Sequence, residues 1–141
     1  MFSNRIDKKQ IELGHDFAPK FDERGLIPCI TVDAESGEVL MFAWMNKSAL
    51  KMTIESGKAT YYSRSRDKIW VKGESSGRYQ FVEKLLVDCD QDVIQLQVKM
   101  AKEGACHNGY RSCFYRSLEG DDSLSLTYEI EERSFDPDKV Y

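Results

Sequence analysis

No segment of this chain is apolar for long enough to cross a bilayer, and the opening stretch MFSNRIDKKQIELG lacks the apolar core of a signal peptide. Those absences predict a cytoplasmic protein with no membrane partner. Internal repeats, low-complexity tracts and Pro/Gly/Ser linkers are missing too, which leaves residues 1–141 as a single expected domain. There is no surplus of positive charge. A formal net charge of −4 argues against a dedicated nucleic-acid binder. The four cysteines form no Cys-x-x-Cys knuckle. Disulfides are rare in the cytosol, so Cys29, Cys89, Cys106 and Cys113 read as buried thiols or metal ligands rather than staples.

What is present is ordinary globular material, 41% hydrophobic and 31% charged. Residues 25–34 (GLIPCITVDA) and 37–45 (GEVLMFAWM) read as strands around an ESG turn. Asn46 is placed to cap a helix through KSALKMTIES, and Gly57 to stop it in a left-handed conformation. ATYYSRS and KIWVKG alternate bulky and polar residues about Asp67-Lys68, the pattern of a hairpin. A long strand pair follows, RYQFVEKLLVDCD with DVIQLQVKMA, then an irregular loop over 103–112 and two short strands, CFYRSL and SLSLTYEI. The acidic tail, 131–141, reads as frayed surface. Scarce helix and successive strands predict an α+β domain with a mainly antiparallel sheet.

One stretch resists a purely structural reading. Residues 88–92, DCDQD, set three carboxylates and a thiol inside an apolar run, where unpaired charge is costly. On an extended backbone Asp88, Asp90 and Asp92 point one way and Cys89 the other. Carboxylates suit Mg²⁺, thiolates Zn²⁺. In a straight strand the outer aspartates lie roughly 13 Å apart, too far to share one ion. A shared ion therefore predicts a bend at Cys89–Gln91 or a bridging water. A solvated acidic strand end is the alternative.

A zinc site needs more than one sulfur. Cys106 and Cys113, in GACHNGYRSC, are the available partners, with six residues between them and sixteen between Cys89 and Cys106. Three sulfurs leave one tetrahedral position for water, whose pKa a zinc ion lowers to about 7. His107, beside Cys106, is a candidate proton carrier; a solvent-exposed loop histidine is the bland reading. Cys29, in LIPCITV, reads as a core thiol.

Residues 61–80, YYSRSRDKIWVKGESSGRYQ, interleave cations, hydroxyls and glycines. Arg64, Arg66, Lys72, Ser75 and Ser76 offer the donors that phosphate oxygens require. Trp70 could stack on a purine or pack in the sheet. Arg111 and Arg116 flank Cys113 and add positive charge. Basic hairpin residues that are merely solvated remain the alternative.

Taken in order, GEVLMFAWMN, YYSRSRDKIWVKGESSG, DCDQD and GACHNGYRSCFYR resemble phosphoribosyl-AMP cyclohydrolase over residues 20–118. The resemblance implies an intertwined homodimer. It implies one zinc ion per subunit held by Cys106 and Cys113 of one chain and Cys89 of its partner, and magnesium at Asp88, Asp90 and Asp92. The implied reaction is hydrolysis of the N1–C6 bond of the adenine ring of 1-(5-phosphoribosyl)-AMP in histidine biosynthesis. His107 would carry the proton. Arg64, Arg66, Trp70, Lys72, Ser75, Ser76 and Arg111 would meet the nucleotide. Gln91 stands where the family commonly has glycine, so the bend must form without glycine's freedom. Ser75 replaces a common threonine and keeps the hydroxyl. The chain is expected to be monofunctional, without a fused pyrophosphohydrolase domain. Two other classes compete: an RNA-binding module around a closed structural zinc, and a nucleotide deaminase, whose His-x-Glu and Pro-Cys-x-x-Cys pattern is missing.

Overall fold

Turn and cap chemistry sets most of the element boundaries. The computed structural model describes residues 1–141. A short helix α1 (Lys8–Leu13) starts where the Asp7 carboxylate accepts from the Gln10 amide at 2.8 Å. Strands β1 (Leu26–Asp33) and β2 (Val39–Asn46) form an antiparallel hairpin with a bulge between Thr31 and Val32. Helix α2 (Lys47–Ser56) begins as expected, with the Asn46 side chain accepting from the Ala49 amide at 2.8 Å. It ends at Gly57, whose φ of +73° is the left-handed stop. Strands β3 (Thr60–Ser63) and β4 (Lys68–Val71) make the second hairpin. Strands β5 (Gln80–Val87) and β6 (Ile94–Met100) make the third. A separate ribbon pairs β7 (Arg116–Glu119) with β8 (Ser125–Tyr128), and α3 (Pro137–Val140) closes the chain.

The main sheet runs β4-β3-β2-β1-β6-β5, and β1–β6 is its one parallel pairing. This is the expected α+β domain with a mainly antiparallel sheet and little helix. The sheet curls until β5 returns to the segment after α2. The Ala59 amide bonds to the Gln80 carbonyl at 2.9 Å and the Val82 amide to that of Gly57 at 2.8 Å.

Inside the curl lie Ile27, Met45, Leu50, Ile94, Leu96 and Val98, all fully buried. Cys29 joins them, and burial pushes its thiol up to about 12, as suits the inert core residue expected from LIPCITV. One polar chain crosses this interior. The Tyr61 hydroxyl lies 2.6 Å from Gln80 Oε1 and 2.7 Å from Thr31 Oγ1, with all three residues buried. Gln80 Nε2 in turn reaches the Met41 sulfur at 3.3 Å. A Tyr61→Phe substitution strands the glutamine oxygen, and we expect it to cost about 1–3 kcal/mol of stability. Chemical denaturation should show a lower midpoint at unchanged slope; an unchanged midpoint would mean that water replaces the hydroxyl.

Two expectations change, and one segment adds structure that sequence reasoning did not address. Residues 88–92 are a turn, since β5 stops at Val87 and β6 starts at Ile94. The N-terminal segment is helical in part and packed, with Phe2, Phe17 and Phe21 against the core. The tail is docked rather than frayed: Ser134 donates to the Gly109 carbonyl at 2.6 Å, and the Arg78 guanidinium sits 3.7 Å over the Phe135 ring.

Candidate functional site

The acidic turn is built by its own side chains. Asp88 Oδ1 accepts from the amides of Asp92 at 2.9 Å and Val93 at 3.0 Å, which folds the chain back on itself. Gln91 completes the reversal with φ +58°, a left-handed backbone that costs a non-glycine residue about 1–2 kcal/mol. The extended reading is therefore corrected, and the bend falls where a shared ion requires it. One carboxylate oxygen from each of Asp88, Asp90 and Asp92 lies within 4.8 Å of the others. The crowding is felt in their acidity. Hydrogen bonding to Asp88 and then Asp90 pushes the Asp92 carboxyl up to about 6. At Asp88 burial acts upward, but hydrogen bonds from Asp92 and Val93 outweigh it and hold that carboxyl below the usual range. Hard oxygen donors under mutual repulsion are a donor set that fits a divalent cation such as Mg²⁺.

The second cluster lies in the loop between β6 and β7. Cys106 is buried, and its amide donates to the Tyr110 carbonyl at 3.0 Å. Cys113 is an exposed residue, tied to β2 through its amide, which donates to the Leu40 carbonyl at 2.7 Å. Despite that exposure, desolvation first and the hydrogen-bonded Cys106 sulfur second push the Cys113 thiol up to about 12. Two neighbouring sulfurs in one loop, one of them a desolvated thiol, fit a soft cation such as Zn²⁺, which deprotonates a coordinating thiol. Lys72 reaches the same loop from the end of β4. Its ammonium donates to the Ala105 carbonyl at 2.6 Å while the residue is only 7% exposed. Burial lowers the Lys72 pKa, and the two cysteines act in the opposite sense. His107 is exposed next to Cys106. The docked tail roofs the loop: a Cβ on Gly104 would stand 2.6 Å from the Phe135 ring, and one on Gly109 would collide with the Phe135 carbonyl.

Cys89 lies apart from that pair. It is exposed at the acidic turn, in an open pocket of about 390 Å³ whose walls include His15, Asp16, Phe17, Asp88 and Gln91. No residue of the cysteine loop lines this pocket. Within one chain the convergent carboxylates form the one group of three or more metal-type donors, and the three sulfurs do not join.

The phosphate tract divides. Arg64, Arg66 and Ser75 are exposed, with Arg64 stacked 5.0 Å over Trp44. Ser76 is half-buried beside Arg78, whose amide donates to Ser76 Oγ at 3.2 Å. Trp70 packs against Tyr61 with ring centroids 5.1 Å apart. Lys72 faces inward, as described. Arg111 is engaged by Glu38 through a 2.9 Å Nε–Oε1 ion pair. Arg116 is exposed and stacks 5.2 Å over Tyr115.

Sequence reasoning missed the N-terminal segment altogether. Asp7 as cap and Gly14 as stop around KKQIEL were the available signal for α1. Nothing local marked its attachment to Gln91, or the inward turn of Lys72.

Fold and donor set together define a small curled-sheet domain whose polar groups suit cation binding and hydrolytic chemistry. The family model described as phosphoribosyl-AMP cyclohydrolase matches residues 41–115. Relatives of that name align over almost the full chain. The protein of Rhodopseudomonas palustris (strain HaA2) is 54% identical, covering 93% of this chain and 90% of its own length. That of Sinorhizobium fredii is 50% identical over 96% and 90%, and that of Chlorobium limicola 49% over 96% and 96%. The chain belongs to the phosphoribosyl-AMP cyclohydrolase family.

Proposed function

We propose that the chain is a hydrolase that opens the adenine ring of 1-(5-phosphoribosyl)-AMP at the N1–C6 bond, in the biosynthesis of histidine. Family membership supports the pathway. The observation that carries the chemistry is the neighbouring Cys106–Cys113 pair in one loop, with exposed His107 beside Cys106 in the chain. Cys106, Cys113 and Cys89 of the partner subunit would hold zinc, and Asp88, Asp90 and Asp92 magnesium. Zinc in that site would supply water activated near neutral pH.

This chain's own groups then have distinct tasks. Water adds oxygen to C6, the C6–N1 bond breaks, and N1 takes up a proton while the exocyclic amine stays on C6. His107 is placed to move that proton. Arg64, Arg66 and Ser75, open to solvent, are free to take the two phosphates of the substrate. Lys72 holds the cysteine loop through Ala105 and keeps a positive charge by its sulfurs. Magnesium at the acidic turn would orient a substrate phosphate or brace the turn. That Cys89 does not join Cys106 and Cys113 within one chain supports a homodimer. Apolar surface supports it too: Leu118, Leu126 and Tyr128 of the β7–β8 ribbon are 64%, 53% and 51% exposed. We place the enzyme in the cytoplasm.

Ultraviolet absorbance of metal-replete protein mixed with substrate tests the reaction directly, because ring opening changes the chromophore. No absorbance change would reject it in favour of a binding module. In the same assay His107→Ala should retain zinc by elemental analysis yet turn over about 10²-fold more slowly. Unaltered turnover would remove His107 from the mechanism.

A further inference from the structure

Gln91 occupies the tightest point of the acidic turn, where its left-handed backbone would suit glycine, and yet its side chain is buried, at 5% exposure. A long polar side chain in such a place needs partners, and this one finds them far away in sequence. Its Oε1 accepts from the Ala18 amide at 2.9 Å. Its Nε2 uses both hydrogens, on the Ile11 carbonyl at 2.9 Å and the Asp16 carbonyl at 3.1 Å. The Gln91 carbonyl accepts from the Lys20 amide at 2.8 Å. One residue thus satisfies four backbone groups of the N-terminal segment. That segment is also folded on itself. The Arg5 guanidinium donates to the Ala18 carbonyl at 2.6 Å, and Phe2 packs edge-on to Phe17 with centroids 5.3 Å apart.

The turn side of this junction is equally constrained. The Gln91 amide donates to the Asp88 carbonyl at 3.1 Å, while Asp88 Oδ1 holds the next two amides. Any motion that withdraws Gln91 from the N-terminal segment therefore rotates the peptide units on which Asp90 and Asp92 sit.

We propose that Gln91 is a positioning residue, which locks the N-terminal segment onto the acidic turn and so sets the spacing of Asp88, Asp90 and Asp92. The lock makes residues 11–20 part of the cation site's frame although none of them belongs to the carboxylate group. It also fixes the wall of the open pocket that carries His15 and Asp16 beside Cys89. In its consequence for magnesium the proposal rests on the assignment of that ion to the three aspartates; the geometric lock does not.

Gln91→Asn is the informative variant. Asparagine tolerates a left-handed backbone, but its side chain is one methylene too short to reach the segment. Amide hydrogen exchange of the zinc-replete protein should accelerate roughly tenfold at Ala18, and also at Asp92 and Val93, while Leu96 in β6 stays unchanged. Magnesium titrated into the same protein, at a temperature well below the variant's own thermal midpoint, should bind about threefold to tenfold more weakly, an effect that mere loss of global stability would not produce in a fully folded chain. Acceleration confined to Ala18, or none at all, overturns the proposal. Should the variant fail to fold, the unaltered chain still decides: magnesium must slow exchange at Ala18, because linkage is reciprocal, and exchange indifferent to bound magnesium overturns it. An unaltered chain that binds no magnesium rejects the metal assignment instead, and the comparison of Ala18 with Asp92 and Val93 then decides alone.

Discussion

Cys106→Ser protein should purify without zinc and open no substrate above background, and Cys113→Ser protein should behave the same way. The argument is one of donor chemistry. A serine hydroxyl is a hard oxygen that stays protonated at neutral pH, whereas zinc in such a site is held by deprotonated sulfur. Burial and the neighbouring Cys106 sulfur together push the Cys113 thiol up, so the two cysteines are natural partners for one soft cation. The fold should survive, because a serine nearly reproduces the shape of the small Cys106 side chain beside Tyr110 and Ile130. Cys29→Ser serves as the control. It removes a thiol from the core of β1, and is expected to lower stability while zinc stoichiometry holds at the level of the unaltered chain. Full zinc occupancy in Cys106→Ser protein, measured by elemental analysis, would dismiss the cysteine loop as the metal's home.

Cys89→Ser and Cys106→Ser chains, each inactive alone, should regain activity when mixed and allowed to exchange subunits. A two-fold assembly with Cys89 supplied across the interface gives the mixed dimer one doubly damaged site and one intact site. Half of the dimers are mixed at equal proportions, so about a quarter of the unaltered activity should return. Placement of the sulfurs motivates the experiment. Cys89 sits in a pocket to which residues of the loop over 103–113 contribute nothing, while Cys106 and Cys113 neighbour each other in that loop. Subunit exchange without any recovered turnover would put all three ligands in a single chain.

The sequence declared the local structure and withheld the long-range contacts. Asn46 and Gly57 bracketed α2 because capping and left-handed stops are properties of single residues. The hairpins were legible from alternation and turn chemistry for the same reason. The parallel pairing of β1 with β6 was not, since nothing within LIPCITV or VIQLQV names a partner so distant along the chain. The aspartates of residues 88–92 were visible as a cluster, but their geometry was not. Alternation suggested a strand, and the Asp88 side chain instead captured two amides and broke it. The need for a bend came from the reach of short carboxylates, and that physical demand located it correctly. The tract over 61–80 showed donor types suited to phosphate, yet could not reveal that Lys72 turns inward to Ala105, just as nothing around Arg111 revealed its ion pair with Glu38. The tail misled for a simpler reason. Its composition is that of solvated surface, and what holds it is Phe135, its ring against Gly104 and its backbone against Gly109.

That contact ties three distant positions into one unit of sequence drift. Gly104 and Gly109 have no room for even a methyl group beneath Phe135. A larger residue at Gly104 therefore requires the ring to leave, one at Gly109 requires the tail backbone itself to take another route, and either would still have to bear a positive φ, +115° or +94°.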